Sequence, residues 1–175
     1  QYIAGEVVGT PGGVIVRATM RQTRGGTDVD ASVQGSADSI AILVDQLAAQ
    51  LLARQAGESG ELLTELTRTP LPVLHAYLDG RALYRAGNYA GARTAFIAAL
   101  RIDSTFMPAL VGAAKAFSWN GNTVVRDSLI AAVWRHRNKL SRLDRLYPEG
   151  AAGRNNPGYT PRAVRIAAAE AFALA

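Results

Sequence analysis

His75 and His136 are the two histidines of the 175-residue chain, and it has no cysteine. No HxxxH or HExxH spacing puts a second ligand one helical turn from either of them, so the sequence carries no metal-site pattern. Without cysteine there is no thiolate nucleophile, no Cys-ligated zinc and no disulfide. Asp28 and Asp30 fall on one face of a predicted strand, where paired carboxylates can do acid–base work. The same spacing describes a solvated strand face, which is the simpler reading. Thr10-Pro11-Gly12-Gly13 and Thr23-Arg24-Gly25-Gly26 are rich in glycine. Both lack the Lys and Ser/Thr that follow the glycines of a phosphate loop, and both read as hairpin turns. There is no GxSxG elbow, and no serine has a neighbouring histidine to activate it. The expectation is a non-enzyme without metal or cofactor.

The remaining chemistry is electrostatic. Nineteen Lys and Arg outweigh fourteen Asp and Glu, a formal charge of +5. Arg126, Arg135, His136, Arg137, Lys139, Arg142 and Arg145 crowd one stretch. Arg135, Lys139 and Arg142 share one face of a predicted helix. Such a stripe suits phosphate or anionic lipid. A solvated face, or one that meets acidic side chains of a partner protein, is the plainer alternative. Nucleic acid is disfavoured, because aromatics are only 7% of the chain and no stacking residues accompany the basic ones.

The elements that must position these residues divide into two kinds. Residues 2–34 alternate as strands. Tyr2, Ile3, Val7 and Val8 precede the first turn. Val14, Val16, Ala18 and Met20 then alternate with polar or outward positions, as do Val29, Ala31 and Val33 after the second turn. The prediction is a three-stranded antiparallel meander that needs a cover on its apolar face. Ser36 suits a helix N-cap, and Ile40, Leu43, Val44, Leu47 and Leu51 form the covering stripe. Gly57-Glu58-Ser59-Gly60 is a linker. From residue 61 the pattern is helical throughout: a short helix marked by Leu62, Leu63 and Leu66, then helices over 73–85, 90–102, 108–119 and 123–140. Residues 147–161 read as loop and 163–175 as a last Ala-rich helix. The fold class expected is α+β, with an α+β piece at 1–56, helical repeats at 61–146 and a loop with terminal helix at 147–175. The longest apolar run, Ile40 to Val44, is far short of the roughly 20 residues that span a bilayer. A start without Met suggests a processed chain or the ordered part of something longer, and the last helix, ending without a stop signal, suggests truncation there.

The helix pair at 73–106 resembles a tetratricopeptide repeat, in which small residues stand where two helices touch and large ones fill the space between them. Gly80 and Ala92 occupy the close-contact positions. Leu83 and Tyr84 stand at the large position of the first helix. Gly87-Asn88-Tyr89 matches the turn and its aromatic, and Phe96 and Ala99 match the second helix. Ala99-Leu100-Arg101-Ile102-Asp103 resembles the usual exit, with Ser104 in place of Pro. Ala114, Phe117 and Gly121 follow one period after Gly80, Leu83 and Gly87. Arg126 and Val133, where small residues belong, make this second copy degenerate. The resemblance implies a protein-binding groove lined by inner-helix residues. It makes Asp79, Tyr84, Arg85 and Lys115 candidate contacts, with Arg135, Lys139 and Arg142 beside them. Trp119 is a candidate interface anchor, although core packing is the plainer role for it and for Trp134.

A broader resemblance covers most of the chain. Gly5-Glu6-Val7-Val8-Gly9-Thr10-Pro11 is similar to the closing strands of TolB-N-terminal-like domains. Ser36-Ala37-Asp38-Ser39-Ile40 through Leu47-Ala48-Ala49-Gln50-Leu51-Leu52-Ala53 is similar to the helix that ends them. Leu74 to Gly80 and His136 to Ser141 resemble the C-terminal region of bacterial serine/threonine kinases and related regulators, where such a domain precedes tetratricopeptide repeats. The resemblance implies a sensory or docking region of a membrane-associated signalling protein, on the extracytoplasmic, periplasmic side, with protein partners. The alternative is a structural accessory subunit of a large membrane assembly.

Overall fold

The computed structural model describes residues 1–23, 26–58, 60–119, 122–136, 138 and 140. The architecture is α+β, a three-stranded antiparallel sheet followed by helices. It forms two compact units, Gln1–Leu74 and His75–Ala175.

In the first unit, β1 (Tyr2–Thr10), β2 (Gly13–Arg21) and β3 (Val29–Gly35) pair in chain order. The register sets Val7 against Val16 and Val16 against Val33, with Gly5, Ala18 and Ala31 in the next inward row. Alternation therefore places Val16, Ala18, Met20 and Ala31 on one buried face. A 3-10 turn at Ala37–Ser39 leads into α1 (Ile40–Gln55); the Ser36 hydroxyl accepts from the Asp38 amide at 3.3 Å and caps that entry. Leu43, Leu47 and Leu51 of α1 close the core over the sheet. Ile40 and Val44, expected in the same stripe, are instead 40% and 50% exposed. The reason is geometric: α1 packs over β2 and β3, and these two side chains lie on its flank. The opposite side of α1 is also buried, at Ala49 and Ala53, and α2 (Gly60–Thr67) packs on α1.

α1 ends at Gly57, whose φ of 81° is the left-handed conformation of a helix terminator. The Glu58 amide donates to the Ala53 carbonyl and the Gly57 amide to Arg54, both at 2.9 Å, which satisfies two of the last carbonyls. The sequence places the domain boundary at this linker, 57–60. The compact units divide later, between Leu74 and His75, because α2 packs on α1.

The second unit is built from the rest of α3 (Leu71–Arg85) with α4 (Tyr89–Ile102), α5 (Met107–Phe117) and α6 (Thr123–Arg135). Its core is aromatic at one layer: Tyr77 meets Phe96 at 5.9 Å and Phe106 edge-on at 5.4 Å. Phe96 is fully buried. A Cβ added at Gly80 of α3 or at Gly112 of α5 would come within 2.6 Å of its ring, so both helices approach the ring at bare backbone. α5 runs through the middle of the unit. Ala109, Ala113, Ala114 and Ala116 are fully buried, small enough to let α4 and α6 pack closely on it.

α6 stops at Arg135, with His136 as its C-cap, five residues before the end expected at Leu140. Its first turn is held by Asn122, whose side chain accepts from Val124 and Val125. Of the basic stripe expected on this helix, Arg135 is in its last turn. Lys139 and Arg142 lie outside the described residues, as do Arg137, Arg145, the expected loop at 147–161 and the expected helix at 163–175.

Candidate protein-binding surface

The turn between α3 and α4 sets two tyrosines close together. Gly87, at φ 75°, ends α3; the Asn88 amide donates to Leu83 at 2.9 Å and the Gly87 amide to Tyr84 at 3.0 Å. Asn88 then caps α4, its side chain accepting from the Gly91 amide at 2.9 Å. Two residues thus close one helix and open the next. Tyr84, one residue before the end of α3, and Tyr89, the first of α4, pack edge to face with ring centroids 5.3 Å apart.

Trp119 completes the cluster from just beyond α5. Its indole stacks on Tyr89 at 5.1 Å with 9° between the planes, and its Nε1–H donates to the Tyr84 hydroxyl at 3.0 Å. Arg93, one turn into α4, holds the end of α5 in place. Its Nη1 donates to the carbonyls of Trp119 at 3.0 Å and Ala116 at 3.5 Å, and the guanidinium lies 5.5 Å from the centre of the Phe117 ring. A cation at a helix C-terminus with open carbonyls is a favourable match. The outcome is an ordered aromatic surface with Trp119 still 50% exposed, which removes it from the core role that was its plainer reading.

This arrangement suits docking. Large, rigid rings with a hydroxyl, an indole N–H and a neighbouring guanidinium are the residue types that dominate protein interfaces. Replacing Arg93 by Met keeps the stem and removes the donors. It is expected to cost about 1 kcal/mol and to loosen Trp119. In a Trp134→Phe background, Trp119 emission should shift to the red and iodide quenching should rise; unchanged quenching would show that Arg93 does not hold the indole.

Of the sequence-predicted contacts, the structure brings Tyr84 and Trp119 into direct hydrogen-bonded contact. Asp79 is exposed on α3. Arg85 is exposed at the end of α3 and Lys115 is partly buried on α5; each is engaged within the chain. Arg135 is exposed at the end of α6, its Nε donating to Ala131 at 3.4 Å. Tyr89 and Arg93 were not among the candidates. Their one local signal is the spacing of four, which puts Arg93 on the face of α4 that begins with Tyr89.

Elsewhere the acidic and imidazole candidates stay apart. Asp28 pairs with Arg21 at 3.8 Å, while Asp30 accepts from the Thr19 hydroxyl at 2.5 Å, so the two carboxylates have separate partners. His75 and His136 are both exposed. Among the described residues no cluster of His, Asp or Glu could hold a metal ion, and no helix is long and apolar enough to cross a membrane. No family model, curated protein or solved structure matches the chain.

Proposed function

We propose that the chain is a non-catalytic protein-interaction module that docks a protein partner on the Tyr84–Tyr89–Trp119 surface. The observation that carries this reading is a half-exposed tryptophan held by a stack, a side-chain hydrogen bond and a capped helix end. Ordering an aromatic before binding lowers the entropy lost on association. The resemblance of 73–106 to a tetratricopeptide repeat supports the same reading. With the TolB-like resemblance of the first unit, it suggests the sensory or docking region of a membrane-associated signalling protein.

Photo-crosslinking tests the surface. A benzophenone amino acid replaces Trp119 in one variant and Ser104 in another. Ser104 follows the far end of α4, whose fourteen residues span about 21 Å. In native membrane extract, a discrete protein adduct is expected at position 119 and not at 104. With the captured partner purified, Trp119→Ala should weaken binding by at least ~30-fold, as for an interface anchor. Equal adducts at both positions, or unaltered affinity, would remove the surface from consideration.

A further inference from the structure

We propose that β1 pairs strand to strand with β1 of a second copy of this chain, antiparallel and in one register centred on Gly5. The two edges of the sheet differ. Along β3, α1 reaches the free backbone: Gln50 Oε1 accepts from the Ser32 amide at 3.0 Å, and Arg54 Nη1 donates to the Asp30 carbonyl at 2.7 Å. Along β1, the outward-facing backbone has no partner among the described residues. This strand is nine residues long, without proline and with Glu6 as its one charged side chain. Among the described residues it has none of the features that protect a free edge, such as Pro, Lys, a bulge or a covering loop. Its large side chains are also uncovered on both faces: Tyr2 at 52%, Ile3 at 61%, Val7 at 58% and Val8 at 40%.

The occupant follows from the order of residues along the strand. Tyr2-Ile3-Ala4-Gly5-Glu6-Val7-Val8 has two bulky residues at each end and small or polar ones between. A two-fold axis through Gly5 sets Ile3 against Val7 of the other copy on the α1 side of the sheet, and Tyr2 against Val8 on the other side. It also sets Ala4 against Glu6. Faces match, because paired positions are an even number of residues apart along the strand. The neighbouring two-fold registers are worse. An axis through Glu6 opposes two carboxylates, and an axis through Ala4 sets Ile3 against Gly5 and leaves Val8 unpaired. Charge therefore selects the Gly5 register. Glu6 keeps its own counterion, Arg17, at 3.4 Å on the neighbouring strand.

Area agrees with a reversible pair. The four large side chains expose on the order of 100 Å² each. With the edge backbone, the strand offers roughly 500 Å² per copy, just under the ~600 Å² per partner at the lower bound for specific complexes. The expected product is a six-stranded sheet that dissociates in the micromolar range.

Sedimentation of the full chain should show a concentration-dependent monomer–dimer equilibrium. Val7→Lys, at an exposed site, should weaken it at least roughly tenfold with the circular dichroism spectrum unchanged. Because the chain has no cysteine, the register can be read directly. Oxidising a mixture of Ala4→Cys and Glu6→Cys chains should yield a covalent dimer, and either variant alone much less. Gly5 is left unaltered in this test, since a Cβ there would lie 2.8 Å from the Arg17 carbonyl oxygen. A chain monomeric at every concentration would overturn the proposal. A dimer indifferent to Val7→Lys, or one without the mixed crosslink, would overturn it equally.

Discussion

Phe96→Ala is expected to destabilise the helical unit by about 3–5 kcal/mol, the range for deleting a fully buried aromatic ring. The ring is 1% exposed and lies against Tyr77 and the bare backbones of Gly80 and Gly112. Those glycines have no side chain that could turn into the vacated space, so the cavity stays largely open. Both tryptophans, Trp119 and Trp134, are in this unit, and denaturant unfolding followed by their fluorescence isolates its transition. A loss under 1 kcal/mol would mean that the helices do not meet on this ring. The converse substitution tests the same contact from the other side. Gly80→Ala gains up to ~1 kcal/mol of helix propensity. Its Cβ, however, would sit 2.6 Å from the Phe96 ring, and overpacking of that kind costs about 1–3 kcal/mol. The expected net is destabilisation. It should vanish or reverse when Phe96 is simultaneously reduced to Leu, a coupling that only direct contact produces.

The first unit has a comparable position at the β1–β2 turn. Gly13→Ala is expected to cost about 2–3 kcal/mol, while Gly12→Ala next to it should stay within about 0.5 kcal/mol. Gly13 has φ 149°, a conformation that side-chain-bearing residues rarely adopt, and a Cβ there would run into the Gly35 carbonyl oxygen. Gly12 has nothing within 4 Å of the equivalent point. The clash falls where β2 and β3 end together, since Val14 pairs with Gly35. Amide exchange of β2 and β3 should therefore accelerate in the Gly13 variant first. Equal stabilities for the two variants would show that this close approach does not exist in solution.

These two sites differ in how much of them was readable in advance. The turn at Thr10 to Gly13 was plain from its Pro and Gly, yet which glycine is indispensable depends on β3, a strand 22 residues further along at Gly35. The repeat-like pattern marks Gly80, Ala92 and Phe96 as a contact set, and all three are buried. Nothing in the sequence marks Gly112 as a second glycine against the ring, because a lone glycine in a helix carries no address. Ile40 and Val44 fit the spacing of the α1 stripe as well as Leu43 and Leu47 do. The stripe spans more of the helix circumference than the sheet beneath it can cover, and no spacing rule says which flank is left out.

Sequence alone determined what adjacent residues settle among themselves. The alternation from Val14 to Met20, the cap at Ser36, the Gly87-Asn88 reversal and the Asn122 cap are matters of backbone sterics and hydrogen bonds within a few residues. The α+β order of elements follows from them. Tertiary structure alone decided that Trp119 meets Tyr84 across 35 residues, that Arg93 caps a helix other than its own, and that α1 reaches the backbone of β3 through Gln50 and Arg54. Those outcomes depend on which surfaces remain after the helices and strands have packed. Packing selects among many pairings that local chemistry leaves equally acceptable.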